Sequence, residues 1–305
     1  MDTAKGLPLP SLSRGRFSAF GSFEPENGPQ ENRGDDASMT HGPFSRSGHF
    51  VHAYTDVALF DATGVRIVFT ERCGGSSEGV YASLDLACHV GDDPRAVGSN
   101  RELLLDSIGC SSASLIVPKQ VHGNTVVQVD GADGEAFISA CEKAQEGADA
   151  LVVECADVCA LLCYADCMPV IIVAPGGHFA VVHDGWRGVD AHITLSALDA
   201  LCASAHASAG DCNVYIGPYI HAECFEVSAE LAQHFKQTFG AACILDERHI
   251  DLGAAIRIDL LAAGIDSGRI ADVDACTVCE NDRFFSYRAQ GGVCGRHAAC
   301  AVREI

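Results

Sequence analysis

The feature that most constrains the fold of this chain is a pair of short apolar runs near its middle. The runs occupy residues 170–173 and 179–182, are rich in β-branched residues and flank a Pro-Gly-Gly turn at 175–177. This pattern predicts two neighbouring antiparallel strands. Cys167 lies just before the first run and His183 just after the second. Closing the turn therefore brings a thiol and an imidazole together at one end of the hairpin.

A second histidine has a similar position. His122 follows the apolar run 115–117 and sits on a turn before a predicted strand at 125–129. Two histidines and one cysteine at strand ends, with no fourth protein ligand nearby, are typical of a catalytic zinc site that keeps one coordination position for water or substrate. The residues therefore predict a Zn²⁺ cofactor held by His122, Cys167 and His183.

Three further residues lie beside these ligands in the sequence. Asp166 could orient a histidine N–H or shuttle a proton, and we include it as a catalytic candidate; alternatively, it could cap backbone amides of its own turn. Trp186 and Arg187 follow His183 in a tight turn. We interpret this pair as packing and anchoring the turn.

Eleven short motifs follow one another from about Val57 to the C-terminus. They are F-T-E-R-C-G-G-S (69–76), Y-A-S-L-D-L (81–86), V-G-D-D (90–93), N-R (100–101), Q-V-H-G (120–123), A-D-C-M-P (165–169), H-D-G-W-R-G (183–188), G-P-Y-I (217–220), C-F-E-V (224–227), F-F-S-Y-R (284–288) and G-R (295–296). This order resembles the laccase-domain, or polyphenol oxidase-like, proteins, a family described as purine nucleoside phosphorylases. The chain departs from the family pattern at Asp85, Ala87 and Asp184.

The resemblance implies an α/β fold with mixed sheets, arranged as a four-layer αββα sandwich. It implies a zinc-dependent enzyme that converts adenosine or inosine and phosphate into base and ribose 1-phosphate, with accompanying adenosine deamination and methylthioadenosine as a further phosphorolysis substrate. The implied site residues are the catalytic His122, Cys167, His183 and Asp166, the phosphate contacts Arg72, Gly74 and Gly75, and the ribose or base contacts Ser83, Asp85 and Gln120. From the residues alone, the glycine pair after Arg72 fits a plain turn equally well.

Other functions stay open. Cys167 as nucleophile with His183 as base would make a metal-free hydrolase or amidase, a class that includes peptidoglycan precursor editing. The name laccase implies copper, and Met168 would complete a blue-copper ligand set. Met168 directly follows Cys167, however, so the two side chains leave the backbone on opposite sides, and the chain has no H-x-H pair typical of multicopper centres. A non-enzymatic zinc protein would normally have four protein ligands rather than three.

Charge and hydropathy exclude several partners. The chain has 41 acidic and 20 basic residues and a net charge of −21, so its surface should repel nucleic acid. No run reaches the roughly 18 apolar residues that a membrane span needs, and the first thirty residues lack a signal-peptide core. We expect a cytoplasmic protein without membrane contact, either a monomer or a homodimer.

The chain contains 16 cysteines, and we expect most of them to be reduced, because disulfide frameworks belong to small secreted domains. Cys159 and Cys163 fall on one face of a predicted strand and should pack in the core. Cys276 and Cys279 form a lone C-x-x-C, which we interpret as two buried thiols.

Composition also predicts the domain organisation. Residues 1–48 are rich in Gly, Ser, Pro and Asn and should form a disordered extension, followed by one catalytic domain over 49–305. The runs 57–60 and 65–69, on either side of a short polar turn, predict an antiparallel hairpin. The remaining strands and helices alternate irregularly, which favours a layered α/β sandwich with mixed sheets over a doubly wound parallel sheet.

Overall fold

The structure, a computed structural model, describes residues 6–18, 21–26 and 50–304. Its strands are β1 (Ser13–Ser18), β2 (Ser22–Pro25), β3 (Val51–Thr55), β4 (Val65–Thr70), β5 (Ser114–Ile116), β6 (Val126–Val129), β7 (Ala150–Val153), β8 (Val158–Tyr164), β9 (Met168–Val173), β10 (Phe179–Asp184), β11 (Asn213–Ile216), β12 (Ile244–Asp246), β13 (His249–Ile250), β14 (Ile270–Asp272) and β15 (His297–Arg303). Its α-helices are α1 (Val57–Thr63), α2 (Pro94–Ser107), α3 (Gly134–Gly147), α4 (Trp186–Asp190), α5 (Ile193–Ala205), α6 (Ala229–Phe239) and α7 (Leu252–Ala262).

Two large sheets organise these elements. One has seven strands in the order β2-β1-β3-β4-β15-β8-β5, and the other has six in the order β14-β11-β9-β10-β7-β6. Most neighbours are antiparallel, whereas β5 with β8, β6 with β7 and β11 with β14 are parallel. The predicted mixed-sheet α/β class is confirmed.

The core shows the order of the layers. Phe69 and Leu162 of the seven-stranded sheet belong to one buried cluster with Val181 of the six-stranded sheet, so the two sheets pack face to face. On the other face of the six-stranded sheet, Leu198 of α5 belongs to a second cluster that includes residues of α6 and α7. On the other face of the seven-stranded sheet, α2 contributes Leu104 to a third cluster. The result is the expected four-layer αββα sandwich.

The prediction of a hairpin over 57–69 is wrong in its first half. Residues 57–63 form α1, because the Asp56 carboxylate accepts a hydrogen bond from the Leu59 amide at 3.0 Å and caps the helix N-terminus. At the other end Gly64 has φ 71° and donates its N–H to the Phe60 carbonyl at 2.8 Å. Caps at both ends thus outweigh the strand preference of the short apolar run. Strand β4 begins directly after the cap.

The prediction that residues 1–48 are disordered is also wrong for residues 6–18 and 21–26; the rest of that segment lies outside the described residues. Strand β1 pairs antiparallel with β3 and adds itself and β2 to the edge of the seven-stranded sheet. The Phe17 side chain is fully buried, and the Arg14 guanidinium donates to Glu71 at 2.6 Å. The domain supplies a sheet edge and a buried partner, which composition alone cannot reveal.

None of the helices in residues 6–18, 21–26 and 50–304 combines the length and the apolar character that crossing a membrane requires. Cys159 and Cys163 are buried, as expected, and both belong to the cluster beneath α2.

The N-terminal strands should contribute to stability. We expect Phe17→Ala to lower the free energy of unfolding by about 3 kcal/mol, because it removes a fully buried aromatic ring and leaves a cavity. Leu9→Ala is the matched control, since Leu9 is 69% exposed, and it should change stability by no more than about 0.5 kcal/mol. Urea unfolding measures both. Equal stability of Phe17→Ala and the parent would show that β1 does not pack on the domain in solution.

Candidate functional site

The predicted hairpin at residues 168–184 is present and positions the first two ligand candidates. Strands β9 and β10 pair antiparallel, with His183 opposite Pro169, so Cys167 lies directly beyond the end of the pair. Gly176 and Gly177 have φ of 87° and 82°, a region that glycine enters without strain, and they close the turn at the far end. The sequence pattern therefore correctly places a thiol beside an imidazole.

His122 completes a compact set of three donors. One ligand atom each from His122, Cys167 and His183 lies within 4.8 Å of the other two, and the two imidazole rings have centroids 4.8 Å apart. His122 is exposed, Cys167 is half-buried and His183 is buried. Two imidazole nitrogens and one sulfur fit a tetrahedral metal ion with one position left open.

The proton distribution in the metal-free set favours an ion pair. Burial raises the pKa of the Cys167 thiol, but the His183 charge and hydrogen bonds from both histidines outweigh burial and lower it to about 6. Burial lowers the pKa of His183, but the Cys167 thiolate and a hydrogen bond to Asp149 raise it to about 9. At neutral pH the site therefore presents a thiolate beside an imidazolium.

Asp149 holds this arrangement in place. Its fully buried carboxylate accepts hydrogen bonds from the Val121, His122 and Gly123 amides at 3.1, 2.9 and 2.7 Å and pairs with His183 Nδ1 at 2.8 Å. Burial raises the pKa of Asp149, but the hydrogen bonds from His183 and the amides bring it below its ordinary value. Since the proton shared with Asp149 lies on Nδ1, Nε2 of His183 is the nitrogen left for a metal or a substrate.

Asp149 is not among the site residues predicted from the sequence. Asp149 lies directly before β7. Strand β7 pairs antiparallel with β10, so that Ala150 lies opposite Val182. This pairing sets Asp149 across from His183, and strand order within a sheet is not readable from one sequence.

The Asp166 carboxylate is hydrogen-bonded to a segment that is distant in the sequence. Asp166 has φ 89° and lines the cavity, but its carboxylate accepts hydrogen bonds from Thr277 Oγ1 at 2.7 Å, Ser286 Oγ at 2.6 Å and the Arg288 amide at 2.7 Å. Both oxygens are thus used to hold the segment 277–288. The predicted capping of its own turn is therefore not present, and the catalytic role stays a prediction.

The predicted phosphate contacts have their donors occupied. The Arg72 guanidinium donates to the carbonyls of Ala82 and Asn281 and stacks on Phe285. The amides of Gly74 and Gly75 both donate to Ser83 Oγ, at 3.0 and 3.2 Å. These groups brace a loop, so they are not free to bind phosphate here, and neither is Ser83 free to bind ribose. A glycine-rich turn beside an arginine gives the same sequence pattern in both roles.

The two remaining predicted contacts, Asp85 and Gln120, differ in their position relative to the cavity. Asp85 is fully buried and accepts hydrogen bonds from the Ala87 and Arg296 amides, and burial raises its pKa to about 6. It does not line the cavity around the three donors, whereas Gln120 does. The Gln120 side chain makes two hydrogen bonds to the backbone of Cys163, at 2.8 and 2.9 Å. Gln120 therefore forms a fixed part of the cavity wall.

The cavity beside the three donors has a volume of about 390 Å³. Besides residues already described, it is lined by His89, Cys163, Ala165, Gly185, Trp186, Arg187, Ile220, Phe225, Leu252, Tyr287, Arg288 and Arg296. Arg187, Arg288 and Arg296 thus line a space whose one lining carboxylate, Asp166, is already hydrogen-bonded. The guanidinium groups of Arg288 and Arg296 donate to backbone carbonyls. The three arginines make the cavity electropositive in an otherwise acidic protein.

The three arginines were not among the predicted site residues. Arg187 stacks on Trp186 at 4.2 Å, so the predicted packing role is present, but both residues also line the cavity. Arg288 is held by the carbonyls of Cys224 and Glu226, both at 3.0 Å. All three arginines lie in the ordered motifs: Arg187 in H-D-G-W-R-G, Arg288 in F-F-S-Y-R and Arg296 in G-R. This shared feature could have identified them as candidates from the sequence.

Removing the carboxylate that organises the donors should weaken metal binding. We expect Asp149→Asn to lower the affinity for Zn²⁺ by about 10–100-fold, because the amide cannot accept from His183 and three backbone N–H groups as the carboxylate does. Competition with a chromogenic chelator measures the affinity. Asp130→Asn, at an exposed position, is the control and should bind as the parent does. Unchanged affinity in Asp149→Asn would mean that the donors are organised without Asp149.

Comparison with known proteins places this fold and site in a family. A family model described as "Multi-copper polyphenol oxidoreductase laccase" matches residues 66–304. Purine nucleoside phosphorylase YlmD of Geobacillus stearothermophilus is 33% identical over 243 residues, which cover 77% of this chain and 89% of that relative. Adenosine deaminase RL5, from an unknown prokaryotic organism, is 33% identical over 241 residues, which cover 76% of this chain and 92% of the relative.

Solved structures agree with these relatives. The crystal structure of YlmD from Geobacillus stearothermophilus matches with a TM-score of 0.71 and 31% identity, over 79% of this chain and 93% of that one. The crystal structure of Bacillus licheniformis YfiH matches with a TM-score of 0.74 and 25% identity, over 87% of this chain and all of that one. The resemblance read from the ordered motifs is confirmed, and the chain belongs to the multi-copper polyphenol oxidoreductase laccase family.

Proposed function

We propose that this protein is a zinc-dependent purine nucleoside phosphorylase that also deaminates adenosine. The observation that carries the proposal is the open set of His122, Cys167 and His183 in a cavity lined by three guanidinium groups. Such a site suits a reaction in which an anion and a polar nucleophile act at one electropositive centre. The names of two relatives, purine nucleoside phosphorylase YlmD and adenosine deaminase RL5, support the two activities.

The donor chemistry fits zinc and does not fit a multicopper centre. Zinc accepts two imidazoles and a thiolate with an open fourth position. Met168, the residue that would complete a blue-copper set, is fully buried in the cluster between the six-stranded sheet and its helices, on the opposite face from Cys167. Among the described residues the set holds only two histidines, whereas a multicopper centre needs several histidines together.

The cavity suits a purine nucleoside in size and lining. Its volume of about 390 Å³ falls in the range of roughly 300–1,000 Å³ typical of small-molecule sites. Phe225, Tyr287 and Trp186 supply aromatic surface, and Ile220 and Leu252 supply aliphatic surface. Flat apolar walls of this kind stack on a planar base and leave the polar groups to recognise ribose and phosphate.

The chain supplies charge and orientation for the reaction. In phosphorolysis a phosphate oxygen bonds to C1′ while the bond from C1′ to the purine nitrogen breaks and the leaving base takes up a proton. A bound zinc ion would supply a Lewis acid that polarises phosphate, or water when the substrate is deaminated. Arg187, which donates no hydrogen bond to another described residue, would bind the phosphate in place of Arg72. Arg288 and Arg296, which donate to backbone carbonyls, would add positive charge to the cavity. Asp149 would keep His183 fixed throughout.

A second candidate, a metal-free cysteine hydrolase, is favoured by one specific observation. Cys167, His183 and Asp149 lie in the order of a nucleophile, a base and an orienting carboxylate, with Asp149 at 2.8 Å from His183 Nδ1. The low pKa of the Cys167 thiol is also what such a nucleophile needs. The second histidine, His122, has no role in that triad and is explained by a metal.

The reaction separates the two candidates. With phosphate present, we expect the purified zinc protein to convert adenosine or inosine to free base and ribose 1-phosphate, and adenosine to give some inosine as well. Chromatography of reactions with and without phosphate measures this. Cys167→Ala should lose both zinc and activity. The cysteine hydrolase would be established instead if the parent hydrolyses an amide and Cys167→Ala is inactive but keeps its full zinc content. Release of free base at the same rate without phosphate would indicate a nucleosidase.

The phosphate contact can be tested at Arg187. This guanidinium stacks on Trp186 and donates no hydrogen bond to another residue of the described ranges, so it is available to an anion. We expect Arg187→Gln to raise the KM for phosphate by about 10–100-fold, the effect of losing a charge-assisted hydrogen bond, with a smaller change in the KM for nucleoside. Arg95→Gln, at an exposed position on α2, is the control. An unchanged KM for phosphate would exclude Arg187 as a phosphate contact.

A further inference from the structure

A second group of metal-type donors lies apart from the three in the candidate site. Cys224, on the loop after β11, meets Cys276 and Cys279, on the loop after β14, and the three sulfur atoms lie within 4.8 Å of one another. The C-x-x-C interpreted from sequence as two buried thiols therefore supplies two of the three cysteines in a cluster. Cys276 is buried, but Cys279 is exposed, so that interpretation is wrong for Cys279.

The spacing of the sulfurs fits a metal ion. Two thiolates bound to one tetrahedral zinc ion at about 2.3 Å are about 3.8 Å apart. Cys224 Sγ and Cys279 Sγ are 3.6 Å apart, close to that value and far from the roughly 2.05 Å of a disulfide. In addition, the His221 amide donates to Cys276 Sγ at 3.4 Å, a contact that stabilises a thiolate.

His221 supplies a fourth donor. One of its ring nitrogens lies within 4.8 Å of Cys276 Sγ and of a Glu223 carboxylate oxygen, so Cys276 belongs to both groups of donors. His221 Nε2 is buried and has no hydrogen-bond partner among the described residues. A buried ring nitrogen without a partner costs free energy unless something binds it. His221 is grouped with Cys276 and not with Cys224 or Cys279, so its ring would have to move toward these two sulfurs to act as the fourth ligand. Three thiolates and one imidazole would then complete a set typical of structural zinc rather than of catalytic zinc.

We propose that Cys224, Cys276, Cys279 and His221 bind a second, structural zinc ion that joins two loops of the cavity wall. Ile220 and Phe225 lie on the first loop, and Tyr287 and Arg288 lie on the second; all four line the cavity. This proposal concerns a separate set of ligands and does not depend on the proposed function.

The contacts around the cluster explain what the ion would stabilise. Two contacts join the loops in the structure. Arg288 donates to the carbonyls of Cys224 and Glu226, and the Thr277 backbone N–H donates to the Tyr219 carbonyl at 3.0 Å. Thr277 Oγ1 also donates to Asp166, the residue before Cys167. An ion at the cluster would hold Arg288 and Phe225 in position from behind the cavity.

Zinc content of the full chain, purified under reducing conditions, tests the proposal. We expect about two zinc ions per chain in the parent, about one in Cys279→Ser and about one in Cys167→Ala, with about none in the double variant. Cys141→Ser, on α3 and outside both groups, is the matched control and should keep two. Cys224→Ser provides a second variant of the cluster. Zinc content in Cys279→Ser and Cys224→Ser equal to that of the parent would overturn the proposal.

A measurement on the Cys167→Ala background isolates the cluster from the candidate site. In this variant Co²⁺ should give the strong thiolate-to-metal charge-transfer absorption of a cysteine-rich tetrahedral site, and addition of Cys279→Ser should abolish it. A chelator should lower the melting temperature of Cys167→Ala by several degrees and leave the double variant unchanged. A disulfide between Cys224 and Cys279 in the reduced-buffer preparation, found by peptide mapping, would also overturn the proposal. Loss of zinc in Cys279→Ser but not in Cys167→Ala would support the second ion and contradict the metal of the proposed function.

Discussion

One buried carboxylate determines the geometry of the candidate site. Asp149 accepts three backbone amides of the turn at 121–123 and the Nδ1 proton of His183. His122 has φ 57°, a conformation that is uncommon for a residue with a side chain. The three hydrogen bonds from the backbone amides to Asp149 stabilise this conformation. Without an acceptor at this point, three backbone N–H groups of a partly exposed turn would lose their common partner. The position of one ligand and the tautomer of another therefore depend on the same residue.

The sheets explain why such a charge can be buried at this place. Asp149 precedes β7, which is flanked by β10 and β6 inside the six-stranded sheet, and the His183 amide donates to the Asp149 carbonyl at 2.7 Å. Both backbone and side chain of Asp149 are thus bonded to the strand that carries His183. Strand β10 carries His183, and Cys167 lies directly before β9. Four residues of the cavity wall, Ile220, Phe225, Tyr287 and Arg288, come instead from the loops after β11 and β14. Loops on a fixed scaffold are where binding residues are commonly found.

The parts of the fold and site that the sequence predicts correctly are those formed by residues close together in the chain. The hairpin at 168–184 follows from two apolar runs and a turn, and it correctly brings Cys167 to His183 because the partners are close in the chain. Asp149 reaches the site through strand order, which a single sequence does not encode in a local pattern. Arg288 and Arg296 lie in the ordered motifs, but long loops bring them to the site, so the motifs alone do not place them there. The errors at α1 and β1 have a related cause. In one case helix caps outweighed the strand preference of an apolar run, and in the other an edge provided by the domain ordered a polar segment.

The two candidate functions use the same atoms, so relative binding strength decides between them. A metal ion must displace the proton that the Cys167 thiolate and Asp149 favour on His183, whose pKa they raise to about 9. The Cys167 thiol, with its pKa lowered to about 6, is already mostly thiolate at neutral pH. Zn²⁺ and the His183 proton therefore compete for the same nitrogen, because a metal ligand must be deprotonated. The thiolate–imidazolium pair is the form that the same residues take without a metal. Because the folded-state pKa of His183 is raised, competition from its proton is strongest at low pH and disappears as the pH rises through about 9.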